Sequence, residues 1–345
     1  MKSKKLLLIG SNSIHLYNYH CLVQDYFSEI MVITNKKRYD YSNKSIFYNY
    51  FGYWNIFKLY KTILFIRKKI KEFKPNIIHV HQINSYSFIT VLACRKMNIP
   101  IVLTAWGDDI LVDPQKSLIL KKIVLFCLRK ATAITSDSLY MTYKIKELLN
   151  FQDIRIDTIN FGIEMPNFFN HKEKIIYSNR LHQDFYRIDK IMLAFNRFYK
   201  NNKDWRLIVA GEGSETEKLK QLLFTLECKE AVEIVGWVNK DVNQEYYSKS
   251  KIFVSIPTTD ATAVSLLEAM SNGCVPVVSN LPANLEWVMN GVNGLIVNNV
   301  NIDFLQQAII LDQEEMANHN RLIINKRALK KNSIKMFSDL YDSLM

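Results

Sequence analysis

Two carboxylates set the first chemical expectation. Asp260 and Glu268 stand with seven residues between them in the segment 255–297, SIPTTDATAVSLLEAMSNGCVPVVSNLPANLEWVMNGVNGLIV. A strand ends at Ser255–Ile256, a loop of small polar residues follows, and a helix begins near Val264. Backbone N–H groups around Ala263, Val264, Ser265 and Leu266 are then unpaired at a helix start, where the dipole favours a phosphate. Carboxylates on either side of such a site suit the hydroxyls of a sugar and a ribose. Gly273 and Pro276 end the helix and open the next strand. The turn Ala210-Gly211-Glu212-Gly213 allows close backbone approach to a ligand, but any strand–helix turn could carry it. His79-Val80-His81 alternates along a strand, so both imidazoles share one face. No third ligand stands nearby and Asp108-Asp109 is not an Asp-x-Asp pair, so no metal site is expected.

These residues need elements to position them. Buried-strand runs occur at 6–9, 30–34, 77–81, 101–104, 133–135 and 156–159. Helical patterns separate them, including 55–74. The alternation restarts after a linker near Ile163–Asn170, with strands at 175–177, 207–210, 232–235, 252–255 and 275–278. Helices are expected at 187–200, 215–227 and 264–272, and the tail 326–345 reads as one or two more. This pattern predicts an α/β chain of two doubly wound parallel sheets in tandem. Ligands bind such sheets at the carboxyl ends of the strands, which places both candidate carboxylates correctly. Two sheets facing each other would make a cleft.

The segment Glu268-Ala269-Met270-Ser271-Asn272-Gly273-Cys274-Val275-Pro276 resembles the donor site of family-4-type retaining glycosyltransferases of the GT-B fold. Asp260 takes the place of that family's first Glu, and one extra residue lies between Gly273 and Pro276. The resemblance assigns Asp260 to the donor sugar and Glu268 to the ribose. Ser178-Asn179-Arg180-Leu181 is similar to the family's Gly-Arg-Leu, which implies that Arg180 grips the donor diphosphate through a charge-assisted fork. Arg187 stands near the family's Lys, or is a solvated helix-start Arg. Gly211 and Gly213 match the Gly-x-Gly turn. Gly236-Trp237-Val238 matches a loop beside the nucleotide base, although Trp237 could equally be core. Glu286-Trp287-Val288 fits a weaker Glu-x-Val match.

Matches in the first half are looser. Gly10-Ser11-Asn12-Ser13 replaces a glycine-rich turn, and Gly10 and His15 could meet donor or acceptor. Thr104 to Leu111 resembles a His-Gly-x-Asp loop in which Trp106 replaces the His. Asp109 takes the Asp position, as a catalytic group or as a helix-capping carboxylate. An indole offers one donor and no acceptor, so any step that needs the imidazole changes. The resemblance predicts an acceptor-binding domain over 1–165, a nucleotide-sugar domain over 166–328, and a helix over 329–345 returning to the first. Domain closure would exclude water from the reaction.

The chain has 345 residues and a net charge of +12, with 48% apolar and 23% charged residues. That balance suits about two globular domains. Residues 1–165 hold 24 Lys and Arg against 12 Asp and Glu, so the whole surplus lies in the first half. The basic amphipathic pattern of 57–74, with Lys116, Lys121, Lys122, Arg129 and Lys130, suits an anionic membrane surface; a packed helix with a solvated Lys face is the plainer reading. No nucleic-acid signature accompanies the charge, so nucleic acid is not an expected partner. Five widely spaced cysteines without CxxC point to a reducing cytosol. Met1-Lys2-Ser3-Lys4-Lys5 is basic but leads into too short an apolar run for a signal peptide, and no stretch reaches the length of a membrane span.

The resulting expectation is a cytoplasmic glycosyltransferase of hexosyltransferase type, peripheral at the inner face of the membrane. It would take a nucleotide diphosphate sugar as co-substrate, without an essential metal. A glycan or lipid-linked acceptor would receive the sugar with retention of configuration, in cell-surface polysaccharide synthesis. A GT-B nucleotide-sugar epimerase and a non-catalytic homologue that binds glycan or lipid carrier are the rivals.

Overall fold

The computed structural model describes residues 4–39, 41, 46–166 and 171–345. The end of the linker, 167–170, and the first three residues of the basic start lie outside them. The chain divides into two compact units, Met1–Phe161 with Lys330–Met345, and Gly162–Leu329.

The first unit holds strands β1 (Lys5–Ile9), β2 (Glu29–Thr34), β3 (Ile46–Tyr48), β4 (Ile77–His81), β5 (Ile101–Thr104), β6 (Ala133–Ser136) and β7 (Ile156–Thr158). They lie in the order β3-β2-β1-β4-β5-β6-β7, with every pairing parallel. Leu6, Leu8, Ile30, Val32, Ile77 and Val102 pack on one side against Leu16, Tyr19, Leu22 and Val23 of the helix Ile14–Val23. Phe337, Leu340 and Tyr341 of the helix Lys330–Asp342 complete that layer.

The second unit repeats the plan with β8 (Glu173–Ser178), β9 (Arg206–Ala210), β10 (Val232–Gly236), β11 (Ser250–Ser255), β12 (Val275–Ser279) and β13 (Leu295–Val297), in the order β10-β9-β8-β11-β12-β13. Period-two alternation sorts its core into two layers. Ile176, Leu207, Val209, Ile252, Val254, Val275 and Val277 face the helix Ile188–Tyr199. Ile175, Tyr177, Ile208, Phe253 and Val278 face the helix Val264–Ser271 and Tyr247. Each fully buried aliphatic or aromatic side chain contributes about 1.5–3 kcal/mol, and these layers hold dozens of them.

In each sheet the order of the strands reverses at one neighbouring pair, β1 with β4 and β8 with β11. Loops leaving such a pair diverge and leave a crevice at the carboxyl edge. In the second unit, Arg180 follows β8 and Asp260 follows β11.

Candidate active site

The loop after β8 and the loop after β11 are joined directly. The Thr258 amide donates to the Phe185 carbonyl at 2.9 Å. Arg180 spans the same gap with its side chain. One terminal nitrogen donates to Asp260 Oδ2 at 2.6 Å and the other to Ser265 Oγ at 2.9 Å. Both side chains of the ion pair are largely buried. The Tyr186 ring lies 4.5 Å from the guanidinium carbon. Burial works to lower the Arg180 pKa, but Asp260 and Tyr186 outweigh it and leave the pKa raised. Arg180 is thus a fixed cation whose planar fork is oriented by three partners.

Asp260 also accepts from the Ala261 amide at 3.0 Å. The loop behind it is braced by Trp287, whose indole donates to Thr262 Oγ1 at 3.3 Å. Ala263 is extended, and no side chain caps the helix Val264–Ser271 that follows it. Val264 and Ser265 are its first-turn amides. The Leu266 amide does not belong with them, because it turns back to the Ala263 carbonyl at 3.0 Å.

Glu268 sits on the inner side of this helix within a polar cluster. Asn179 donates to Tyr247 Oη at 2.7 Å, and the Tyr247 hydroxyl bonds Glu268. Asn243 accepts from Tyr177 Oη at 2.6 Å and from Asn179 at 2.9 Å. Its own amide group reaches Glu268 Oε2 at 3.5 Å. Burial raises the Glu268 pKa, against the bonds from Tyr247 and Asn243 and the Lys240 charge. Sequence reasoning missed Tyr177, Asn243 and Tyr247. Asn243 and Tyr247 lie on the polar helix Lys240–Lys249, whose sequence reads as a solvated surface.

Gly211 and Gly213 act on Arg180 through packing. A Cβ on Gly211, at φ +119°, would lie 2.4 Å from the Arg180 carbonyl oxygen; one on Gly213 would lie 2.3 Å from that of His182. Their amides are already committed, Gly211 to the Gly236 carbonyl at 2.7 Å and Gly213 to Thr216 Oγ1 at 2.9 Å. They shape the Arg180 loop rather than offer donors to a ligand. Arg187 is half-buried and left-handed, at φ 55°, where it opens the helix Ile188–Tyr199. Trp237 is 55% exposed and therefore not core.

The first unit collects its candidates around Trp106. The indole donates to His81 Nδ1 at 3.1 Å, and the exposed His15 ring meets Trp106 edge-on at 5.1 Å. Burial holds the His81 pKa well below its usual value, helped by His79 and His15, so the ring is neutral. Gly10 is wedged between Leu16 Cδ1 and His81 Cβ, 3.0 and 3.1 Å from where a Cβ would be, and its amide donates to Ile33. Asp109 is buried and accepts from the amides of Ile83 at 2.7 Å, Trp106 at 3.0 Å and Gly107 at 3.0 Å. Burial still pushes its pKa up to about 6, against those three bonds. These contacts make Asp109 an anchor that ties the loops after β4 and β5 together. His79 is likewise structural: it bonds Tyr19, Tyr341 and Thr104, and burial pushes its pKa down to about 3. Among the described residues no group of three or more His, Cys, Asp or Glu is placed to hold a metal.

Fold and side-chain contacts together place a fixed cation and two carboxylates at the strand-order reversal of the second unit. The family of group 1 glycosyl transferases matches residues 163–329, and the 4-like glycosyl transferase family matches residues 5–138. The chain belongs to the glycosyltransferases of this type, which are transferases, and neither an epimerase nor a non-catalytic binder is favoured. The alpha-monoglucosyldiacylglycerol synthase of Streptococcus pneumoniae is 21% identical over 61% of this chain, and the match spans only 53% of that protein. An Escherichia coli UDP-Gal:alpha-D-GlcNAc-diphosphoundecaprenol alpha-1,3-galactosyltransferase is 25% identical over 74% of this chain and 71% of its own length. Anabaena HepE, solved in complex with UDP, superposes with a TM-score of 0.80 at 13% identity, over 99% of this chain and all of that one. Such structural likeness establishes the GT-B fold.

Proposed function

We propose that the protein transfers a sugar from a nucleotide diphosphate sugar to a lipid-linked or glycan acceptor at a membrane surface, with retention of configuration, in the assembly of cell-surface polysaccharide. The observation that carries this is the Arg180 fork, held between Asp260 and Ser265 where the strand order reverses at β8 and β11. A departing diphosphate needs fixed positive charge that does not reorganise during bond breaking. Arg180 and the first-turn amides of Val264 and Ser265 supply it, and Arg187 adds a second cation. Asp260 orients the sugar hydroxyls and Glu268 the ribose. Two of the relatives support the acceptor class, since their names specify a glucosyldiacylglycerol and a diphosphoundecaprenol-linked sugar. The first unit would receive that acceptor.

The test is mass-detected transfer from a panel of nucleotide diphosphate sugars to lipid-phosphate-linked and free glycans. Glu268→Ala is expected to lose donor-dependent transfer; undiminished activity in that variant sinks the site assignment. Leaving-group stabilisation by Arg180 also makes transfer insensitive to EDTA, and loss of activity on chelation would contradict it. The anomeric proton coupling of the product reports retention or inversion.

A further inference from the structure

The helix Ile56–Phe73 buries Thr62, Ile66 and Ile70 on its inner side. Its opposite side is not simply a Lys face. Phe57, Tyr60 and Leu64 recur there at helical spacing and are 84%, 60% and 44% exposed. Ile56, the first residue of the helix, and Trp54 just ahead of it extend the stripe, with Trp54 94% exposed. Exposed Lys58, Lys61, Lys68 and Lys71 flank it, and the helix carries six basic residues against the single acidic Glu72.

A second helix start carries the same combination of exposed apolar and basic residues. Leu118 and Ile119 open the helix Leu118–Lys130 and are 77% and 70% exposed, beside exposed Lys116, Lys121 and Lys122. Both helices begin on the carboxyl edge of the sheet, after β3 and β5. Tyr53, just before the first helix, faces Phe88 at 6.3 Å, and Phe88 faces Phe126 in the second half of the other helix at 5.7 Å, so both helices pack on the same intervening element. The unit that carries them has 27 Lys and Arg against 13 Asp and Glu, a surplus of 14. No helix among the described residues is long and apolar enough to cross a membrane.

We infer that Trp54, Phe57, Tyr60 and Leu64, with Leu118 and Ile119, form an insertion edge that enters an anionic lipid surface while the surrounding lysines hold its headgroups. Contiguous exposed apolar side chains of this size mark an interaction site. Charge complementarity selects the occupant: a ring of Lys about an aromatic stripe fits an anionic bilayer interface, where Trp and Tyr rest at headgroup depth. The inference rests on the membrane-surface reading above and adds its mode: insertion rather than charge attraction alone. The edge shares the carboxyl side of the sheet with Gly10 and Trp106, so it brings lipid-borne acceptors toward that side.

The experiment is flotation of the full chain with phosphatidylcholine vesicles, with and without phosphatidylglycerol, at low and high salt. Wild type is expected to float with the anionic vesicles and to keep part of its binding at high salt. The triple variant Trp54→Ser, Phe57→Ser, Tyr60→Ser should lose partitioning on the order of 100-fold. Unaltered melting and circular dichroism should accompany that loss, since all three side chains are exposed. Trp54 emission, taken as the difference from Trp54→Phe, should shift to the blue on vesicle addition. Unchanged flotation of the triple variant, equal binding to neutral vesicles, or lipid-free self-association that depends on Trp54 each overturns the inference. Sugar transfer to a soluble acceptor by a chain that never floats also overturns it and leaves the transferase reading standing. Flotation without any transfer supports the edge and counts against the transferase reading alone.

Discussion

Arg180 combines features that a sequence motif lists separately. Its charge is fixed, its plane is stacked on Tyr186, and its two arms are committed to Asp260 and Ser265. Lysine keeps the charge but lacks the fork. Arg180→Lys should therefore fold and still lower kcat/KM for the donor about 100-fold, as for loss of one oriented donor at a developing anion; steady-state kinetics across donor concentrations check this. Asp109 makes a different prediction. Its pKa is raised to about 6, so the folded state holds a proton that the unfolded state has already released. The favourable, protonated form is fully present below the ordinary Asp value, and its contribution is lost as pH rises through about 6. The loss is about 3 kcal/mol, because a tenfold difference in proton affinity between the folded and unfolded chain corresponds to about 1.4 kcal/mol. Asp109→Asn cannot ionise, so the melting temperature of the wild type should fall relative to that variant between about pH 4 and pH 6. Parallel curves in a differential scan would refute the assignment.

At the level of elements, the site depends on how closely two loops approach. Gly211 lets the turn after β9 lie against the Arg180 carbonyl, with no room for a side chain and a φ of +119° that L-residues rarely adopt. Gly211→Ala must push the Arg180 loop outward. A cost of about 2–4 kcal/mol in stability is expected from clash and backbone strain together. Donor affinity should fall further than the melting temperature implies, as titration calorimetry with the nucleotide sugar would show. The central strands and the helix Val264–Ser271 are legible from local pattern, because buried parallel strands read as apolar runs. The strands β3 and β13 are not. They are three-residue edge elements, Ile46–Tyr48 and Leu295–Val297, too short to display a period. The cluster of Asn179, Asn243 and Tyr247 around Glu268 is also invisible in the sequence, since its members come from a strand end and two helices far apart along the chain.

For the molecule as a whole, the last helix is a structural part of the first unit. Tyr341 bonds both Tyr19 and His79 in a fully buried network, and Phe337 and Leu340 lie in the same core. Tyr341→Ala would open a large cavity beside the Tyr19–His79 pair, which stays bonded to itself, at about 3–5 kcal/mol. Hydrogen exchange should then show faster opening of the strands in Met1–Phe161, while nucleotide-sugar binding to Gly162–Leu329 persists. Equal loss of protection in both units would show that their stabilities are coupled.

The sequence by itself determined the fold class, the tandem pattern, the placement of Arg180 and Asp260 in loops after strands, and that of Glu268 on the helix that follows. Periodicity and helix-start chemistry are local properties, readable over about ten residues. It also showed that the charge surplus lies in the first half. Tertiary structure decided what those groups touch. It showed that Arg180 is locked to Asp260, and that the amides of Gly211, Gly213 and Leu266 are spent within the chain. It turned Asp109 into a loop anchor and exposed Trp237. It also revealed that the basic helix Ile56–Phe73 is apolar on its outer side as well as its inner one. Partner choice across 80 or more residues depends on which loops the sheet brings together, and no local pattern encodes that.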